Sequence, residues 1–178
     1  MTESLATALC KTCGLCCTGH LFVWTKLRSS ELDSIASLGL KVFREPNQRG
    51  FNQPCPLWDG TCTIYETPQY PRFCRTYKCT LLKQVLDEVT PLPSALTIVR
   101  QTKDLIHALD RVLPNSSNPN FRERLTAFLE QEDADLEVRQ GARELLEMYE
   151  SRFGVDDLTD HPDDSFNSTF SNNPGAGT

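Results

Sequence analysis

A chain of 178 residues has room for one domain with a real core, or for a small site-bearing domain with a helical extension, and not for two large independent domains. With 18 Lys and Arg against 24 Asp and Glu it carries a formal charge of -6, and no basic run tracks a phosphate backbone, so no nucleic-acid partner is expected. No stretch of about 18 apolar residues occurs, which argues against a membrane span, and MTESLATALC lacks the basic and apolar segments of a signal peptide, so a cytoplasmic protein is expected.

Eight cysteines fall between Cys10 and Cys79, and none follows. Reduced thiols bring little packing advantage and an oxidation liability, and disulfides do not persist in a reducing compartment, so clustered thiols point to metal. The first four stand in C-K-T-C-G-L-C-C. The C-x2-C-x2-C spacing of Cys10, Cys13 and Cys16 turns three sulfurs toward one point if each two-residue gap closes a tight loop, with Gly14 permitting a turn close to sulfur. Cys17 adjoins Cys16, and neighbouring residues project differently. The pair therefore serves two interleaved four-sulfur sites, or one cluster has extra thiols beside it.

After the apolar run Leu21 to Trp24, S-S-E-L-D-S-I-A-S-L-G predicts a short helix capped by Ser30 with Asp33 three residues on, with Leu32, Ile35 and Leu38 on one face and Gly39 at its end. From Lys41 to Pro71 the chain is rich in Pro, Gly and Asn, with strand-like pieces only at Val42-Phe43 and Thr63 to Tyr65. This part holds Cys55 and Cys62, and Asp59-Gly60 predicts a turn that folds the second back toward the first. Pro71 can open a helix carrying Cys74 and then Leu81, Leu82, Val85 and Leu86 toward Val89, with Cys79 between. Arg75 and Lys78 either offset thiolate charge at Cys74 and Cys79 or form a solvated basic edge.

Three amphipathic helices are expected beyond: Ser94 to Leu113, Phe121 to Gln131 and Leu136 to Phe153, separated by loops at Pro114 to Asn120 and Glu132 to Asp135. Their stripes are expected to pack on each other and on the cysteine domain, while a protein partner on this extension is the second reading. His107 reads as a structural histidine rather than a ligand, and His20, with eight sulfurs at hand, is a minor candidate ligand. The segment from Asp156 onward, with His161, has too little apolar content to repay ordering. The expected organisation is a cysteine domain at 1–90, a helical extension at 91–154 and a disordered acidic, polar tail at 155–178. The fold class is mainly α, with a loop-rich, metal-stabilised cysteine domain and C-terminal helices packed on it.

Cys10, Cys13, Cys16, Cys17, then Cys55, Asp59, Gly60, Cys62, Ile64, Tyr65, and then Pro71, Cys74 and Arg75 resemble the CxxCxxCC cysteine-cluster family, often called YkgJ-type. The resemblance covers roughly residues 10 to 80 and implies a zinc- or iron-chelating domain. A similar cluster accompanies flagellin lysine N-methylases, which by analogy implies an iron-sulfur centre. The sequence departs from the family's Ile-Tyr, two residues, Arg-Pro, two residues, Cys-Arg: E-T-P-Q-Y separates Tyr65 from Pro71, and Tyr70 stands where arginine is expected.

All eight cysteines are expected metal ligands. Cys55-Pro56 beside C-x2-C-x2-C partly echoes the ferredoxin pattern and favours an iron-sulfur cluster of 4Fe-4S type, whereas C-x2-C-G and a total of eight sulfurs suit two zinc sites, the second reading. No glycine-rich phosphate loop, H-E-x-x-H or G-x-S-x-G is present. A metal-binding protein without catalysis of its own is the first expectation; a zinc-held interaction module and a cluster-dependent protein-modifying enzyme or its subunit are the alternatives.

Overall fold

The computed structural model describes residues 4–114, 120–131 and 135–155. Among these it is mainly helical with one small sheet, the cysteines gathered in the N-terminal part and the C-terminal helices packed on it. The expected segment from Asp156 onward, with His161, lies outside the described residues, as do the middles of the two expected loops. No described helix is long and apolar enough to cross a membrane.

Helix α1, Leu5–Cys13, starts at Ser4, whose hydroxyl accepts from the Thr7 amide, and ends at Gly14 in the left-handed conformation with φ +66°. Cys10 and Cys13 therefore sit one helical turn apart, and helix geometry rather than a tight loop brings them together. Only Cys16 and Cys17 occupy the turn beyond, where Thr18 N–H donates to the Gly14 carbonyl.

Strands β1 (Trp24–Lys26), β2 (Val42–Glu45) and β3 (Gln48–Asn52) form an antiparallel sheet in the order β1-β3-β2. Of these only β2 is foreshadowed by the sequence pattern; Thr63 to Tyr65, read as strand-like, is a series of turns. Phe51 pairs with Thr25 on one side and Val42 on the other and is buried with Leu27, Leu32, Ile35 and Leu40 in a small apolar cluster. Helix α2, Leu32–Ser37, supplies two of those residues and ends near Gly39 at φ +87°. A short 3-10 turn, Ser29–Glu31, precedes it, and the cap is not Ser30. The Glu31 carboxylate accepts from the Arg28 amide at 2.7 Å and from the Arg72 amide at 2.6 Å, tying this corner to the start of α3.

Pro71 opens a helix as expected, but the helix breaks. Helix α3 is Arg72–Thr76, and α4, Thr80–Leu86, restarts after Cys79, whose sulfur accepts from the Leu82 amide at 3.4 Å. Leu86 and Val89, read as part of the apolar stripe, are exposed. The long helix α5, Leu92–Val112, is followed by α6, Phe121–Leu129, capped by Asn120, and by α7, Leu136–Met148, capped by Asp135. A π turn, Tyr149–Phe153, ends the described chain.

The main core joins Leu9, Leu15, Leu21 and Phe22 from the N-terminal part to Leu81, Leu82 and Val85 of α4, Val99, Ile106 and Leu109 of α5, Leu125 and Phe128 of α6 and Leu145 of α7. Two polar ties cross it. The Lys103 ammonium donates to the Thr12 carbonyl at the end of α1 at 2.9 Å, and the buried Arg122 guanidinium donates to the Leu21 carbonyl. Gly154, at φ +70°, lets the π turn lie against Thr80, where a Cβ would come within 2.3 Å of the hydroxyl oxygen.

Candidate metal centre

A cavity of about 90 Å³ lies where α1, α3 and α4 meet, and seven of the eight cysteines line it: Cys10, Cys13, Cys16, Cys17, Cys62, Cys74 and Cys79. At roughly 10–15 Å³ for one water, this space would take several. Cys55 stands outside the lining but is joined to it, its amide donating to the Cys17 carbonyl at 2.7 Å. The turn expected at Asp59-Gly60 is formed: Gly60 adopts φ +70°, Trp58 and Cys62 make an antiparallel bridge, and Cys62 comes back near Cys55. All eight cysteines are unpaired, and each is half-buried.

The rest of the wall is mainly aliphatic and aromatic. Phe22 meets Phe73 and Tyr77 edge-on with centroids 5.8 and 4.9 Å apart, and Tyr65 and Tyr70 face each other at 5.0 Å. The Trp58 ring lies so close over Gly14 that a Cβ there would come within 2.1 Å of it, so the glycine is required both by its φ and by this roof. Val99 of α5 and Phe153 of the π turn complete the wall.

Burial sets the protonation of the thiols, because a low-dielectric wall disfavours thiolate. It raises Cys10 to about 11, with help from Cys79, and Cys17 to about 12, with help from Cys62 and Cys55. Cys16 and Cys74 are raised further, by burial and then by Cys79 and Cys17 respectively. Against this, backbone amides point at sulfur: that of Leu15 at Cys13, of Leu57 at Cys55, of Ile64 at Cys62 and of Leu82 at Cys79. Aligned amides and nearby cations favour the charged form, so the site opposes bare thiolates by burial yet carries donors that suit thiolates once a cation shares their charge.

Those cations are not the ones the sequence suggested. Lys11 acts on Cys62, Lys83 on Cys79 and Lys103 on Cys13. Arg75 instead donates to the carbonyls of Thr67 and Tyr70, both at 3.3 Å, and Lys78 is exposed. Lys83 was findable, one helical turn after Cys79, but Lys103 is distant in sequence and carries no local signal. Tyr70, where the family arginine is expected, lines the cavity and donates its hydroxyl to the Cys74 carbonyl at 3.0 Å.

His20 stands apart from the sulfurs. Its ring packs edge-on against Phe121 at 5.1 Å, it does not line the cavity, and burial lowers its pKa to about 4. His107 is exposed on α5. Among the described residues, no three His, Cys, Asp or Glu side chains converge closely enough to hold a single ion as they stand. The sulfurs surround a space instead of a point. Their chemistry fits a soft or borderline metal, since thiolates select zinc, copper(I) and iron-sulfur centres.

No curated protein and no solved structure matches the chain. A family model, CxxCxxCC, described as "Putative zinc- or iron-chelating domain", matches residues 9–101, a little over half of the chain, and takes in the second half of α1, the sheet, all eight cysteines and the first half of α5. The chain belongs to the CxxCxxCC family.

Proposed function

We propose that this chain is a metal-binding protein that holds iron-sulfur of the 4Fe-4S type through Cys10, Cys13, Cys16, Cys17, Cys55, Cys62, Cys74 and Cys79. The observation that carries this reading is the cavity itself: seven thiols around a space that would admit several waters, with no triad of ligands among the described residues drawn together as around one small ion. A polynuclear centre fills such a space, whereas tetrahedral zinc draws its sulfurs to about 2.3 Å from one point. The iron- or zinc-chelating family supports the coarser reading in either case.

A cluster bound there supplies one-electron chemistry. The chain's own residues would hold it, exclude water with Phe22, Trp58, Phe73 and Tyr77, and share its charge through amides and the three lysines. Among the described residues the lining offers no carboxylate and no histidine, and the Tyr70 and Tyr77 hydroxyls are pushed up by burial. Such a wall suits carrying electrons or metal better than acid-base catalysis at neutral pH. The protein is expected to act in the cytoplasm.

The test is acid-labile sulfide, iron and zinc content with a visible spectrum, on protein purified without oxygen. Iron and sulfide in equal amounts with broad absorption near about 400 nm are expected of a cluster. Zinc without sulfide, in a colourless protein, overturns the iron-sulfur reading.

A further inference from the structure

The sequence leaves open whether eight thiols serve one centre with extra sulfurs or two centres, and three independent features of the structure divide them. The first is packing. Cys10, Cys13, Cys16 and Cys79 all rest against the main core, whereas Cys55 rests against the small cluster formed by the sheet and α2.

The second is backbone architecture. Cys10 and Cys13 are on one turn of α1, Cys16 follows in the next turn of chain, and Cys79 caps α4, which packs on α1. Cys17 belongs to a different set of links. Its carbonyl receives the Cys55 amide, and the Trp58 bridge to Cys62 closes the same loop. Cys74, in α3, lies at the far end of the segment that this loop begins.

The third is what holds Cys74. The Arg72 amide at the start of its helix donates to the Glu31 carboxylate beside α2 at 2.6 Å, on the side where Cys55 packs. The Cys74 carbonyl accepts from the Tyr70 hydroxyl at 3.0 Å, and the Tyr70 ring faces Tyr65, in the turns that follow Cys62, at 5.0 Å.

We infer that the eight cysteines form two four-sulfur metal sites, an inner one of Cys10, Cys13, Cys16 and Cys79 and an outer one of Cys17, Cys55, Cys62 and Cys74, with the adjacent Cys16 and Cys17 divided between them. This inference rests on the metal-binding reading above, but not on which metal is bound. Each site takes a thiophilic centre, and no thiol is spare. The outer site is closed by the loop that carries the exposed Asp59, Gly60 and Thr61, and the inner site by the helices.

The experiment is metal content per folded chain in Cys79→Ser, Cys62→Ser and the double variant, with helical circular dichroism as the check on folding. Each single variant is expected to keep half the wild-type metal, whether iron with sulfide or zinc, and the double variant close to none. Loss of all metal in both single variants, with the helices intact, would show one shared centre and overturn the division. Full retention in Cys62→Ser would do the same by making the outer thiols spare. A titration of reduced, metal-free wild-type chain with cobalt(II) keeps the question open to decision if a variant fails to fold. Thiolate-to-cobalt absorption that saturates at two equivalents supports two sites, and saturation at one overturns them. A wild-type chain that binds neither its own metal nor cobalt overturns the metal-binding reading as well, and so separates the two failures.

Discussion

From α5 to the π turn, order comes from apolar burial: Val99, Ile106, Leu125, Leu145 and Phe153 are each no more than 2% exposed, and capped helices satisfy most of the backbone. Between Cys10 and Cys79 regular structure is sparser. The sheet strands are three to five residues long, residues 53–71 are mostly turns and bends, and thiols wall a cavity. Where buried area is scarce, a metal centre can take over the work of a core, and structural zinc contributes roughly 10–16 kcal/mol in small fingers. The two regions should therefore fail separately even though Leu9, Leu15 and Leu21 lie in the same core as the C-terminal helices.

The largest single-residue effect is expected on the helical side. Leu145→Ala removes a side chain with 0% exposure and should cost about 2–5 kcal/mol in denaturant unfolding. Its metal content should stay at the wild-type level, since Leu145 does not line the cavity. Parallel loss of metal would break the separation of the two regions.

Gly14→Ala probes the other side. A side chain at φ +66° is strained by about 1–3 kcal/mol, and its Cβ collides with the Trp58 ring 2.1 Å away. The variant should lose metal as well as stability, with a shift in tryptophan fluorescence as Trp58 moves off its seat. An unchanged spectrum and full metal content would show that the Trp58 roof is dispensable.

The smallest effect is a pH dependence at the seam. Burial holds the His20 imidazole at about 4, against the ordinary 6.5, so the unfolded chain binds the extra proton between these values. The stability that comes from keeping His20 neutral is complete above 6.5 and is lost as the pH falls toward 4. The melting temperature of the wild type should therefore drop more between pH 7.5 and pH 5 than that of His20→Asn. Equal slopes would remove His20 as the cause.

The helical region was largely legible in the sequence, because Ile106, Leu109, Leu125 and Leu145 recur at helical spacing and Pro, Asn and Asp mark the breaks. The sheet was not. β3 reads Q-R-G-F-N, with one large apolar residue, and its pairing with β1 is a long-range event with no local trace. The break between α3 and α4 was also hidden, since Tyr77 and Cys79 fit a helical pattern until the Cys79 sulfur is needed as a cap. At the candidate site, the cysteine spacing gave away the clustering of the thiols and the Asp59-Gly60 turn. What it could not reveal were residues recruited from afar: Lys103 near Cys13, and Val99 and Phe153 in the wall. Such contacts depend on how helices dock, and one sequence carries no record of that.

The most direct test of the central claim is amide hydrogen exchange on the reduced full chain, before and after removal of metal by a strong chelator. Without metal, amides of β1, β3 and residues 53–79 should lose their protection, while α5, α6 and α7 keep most of theirs. Unchanged protection from Cys10 to Cys79 in the stripped chain would contradict the account, because order there would then owe nothing to metal.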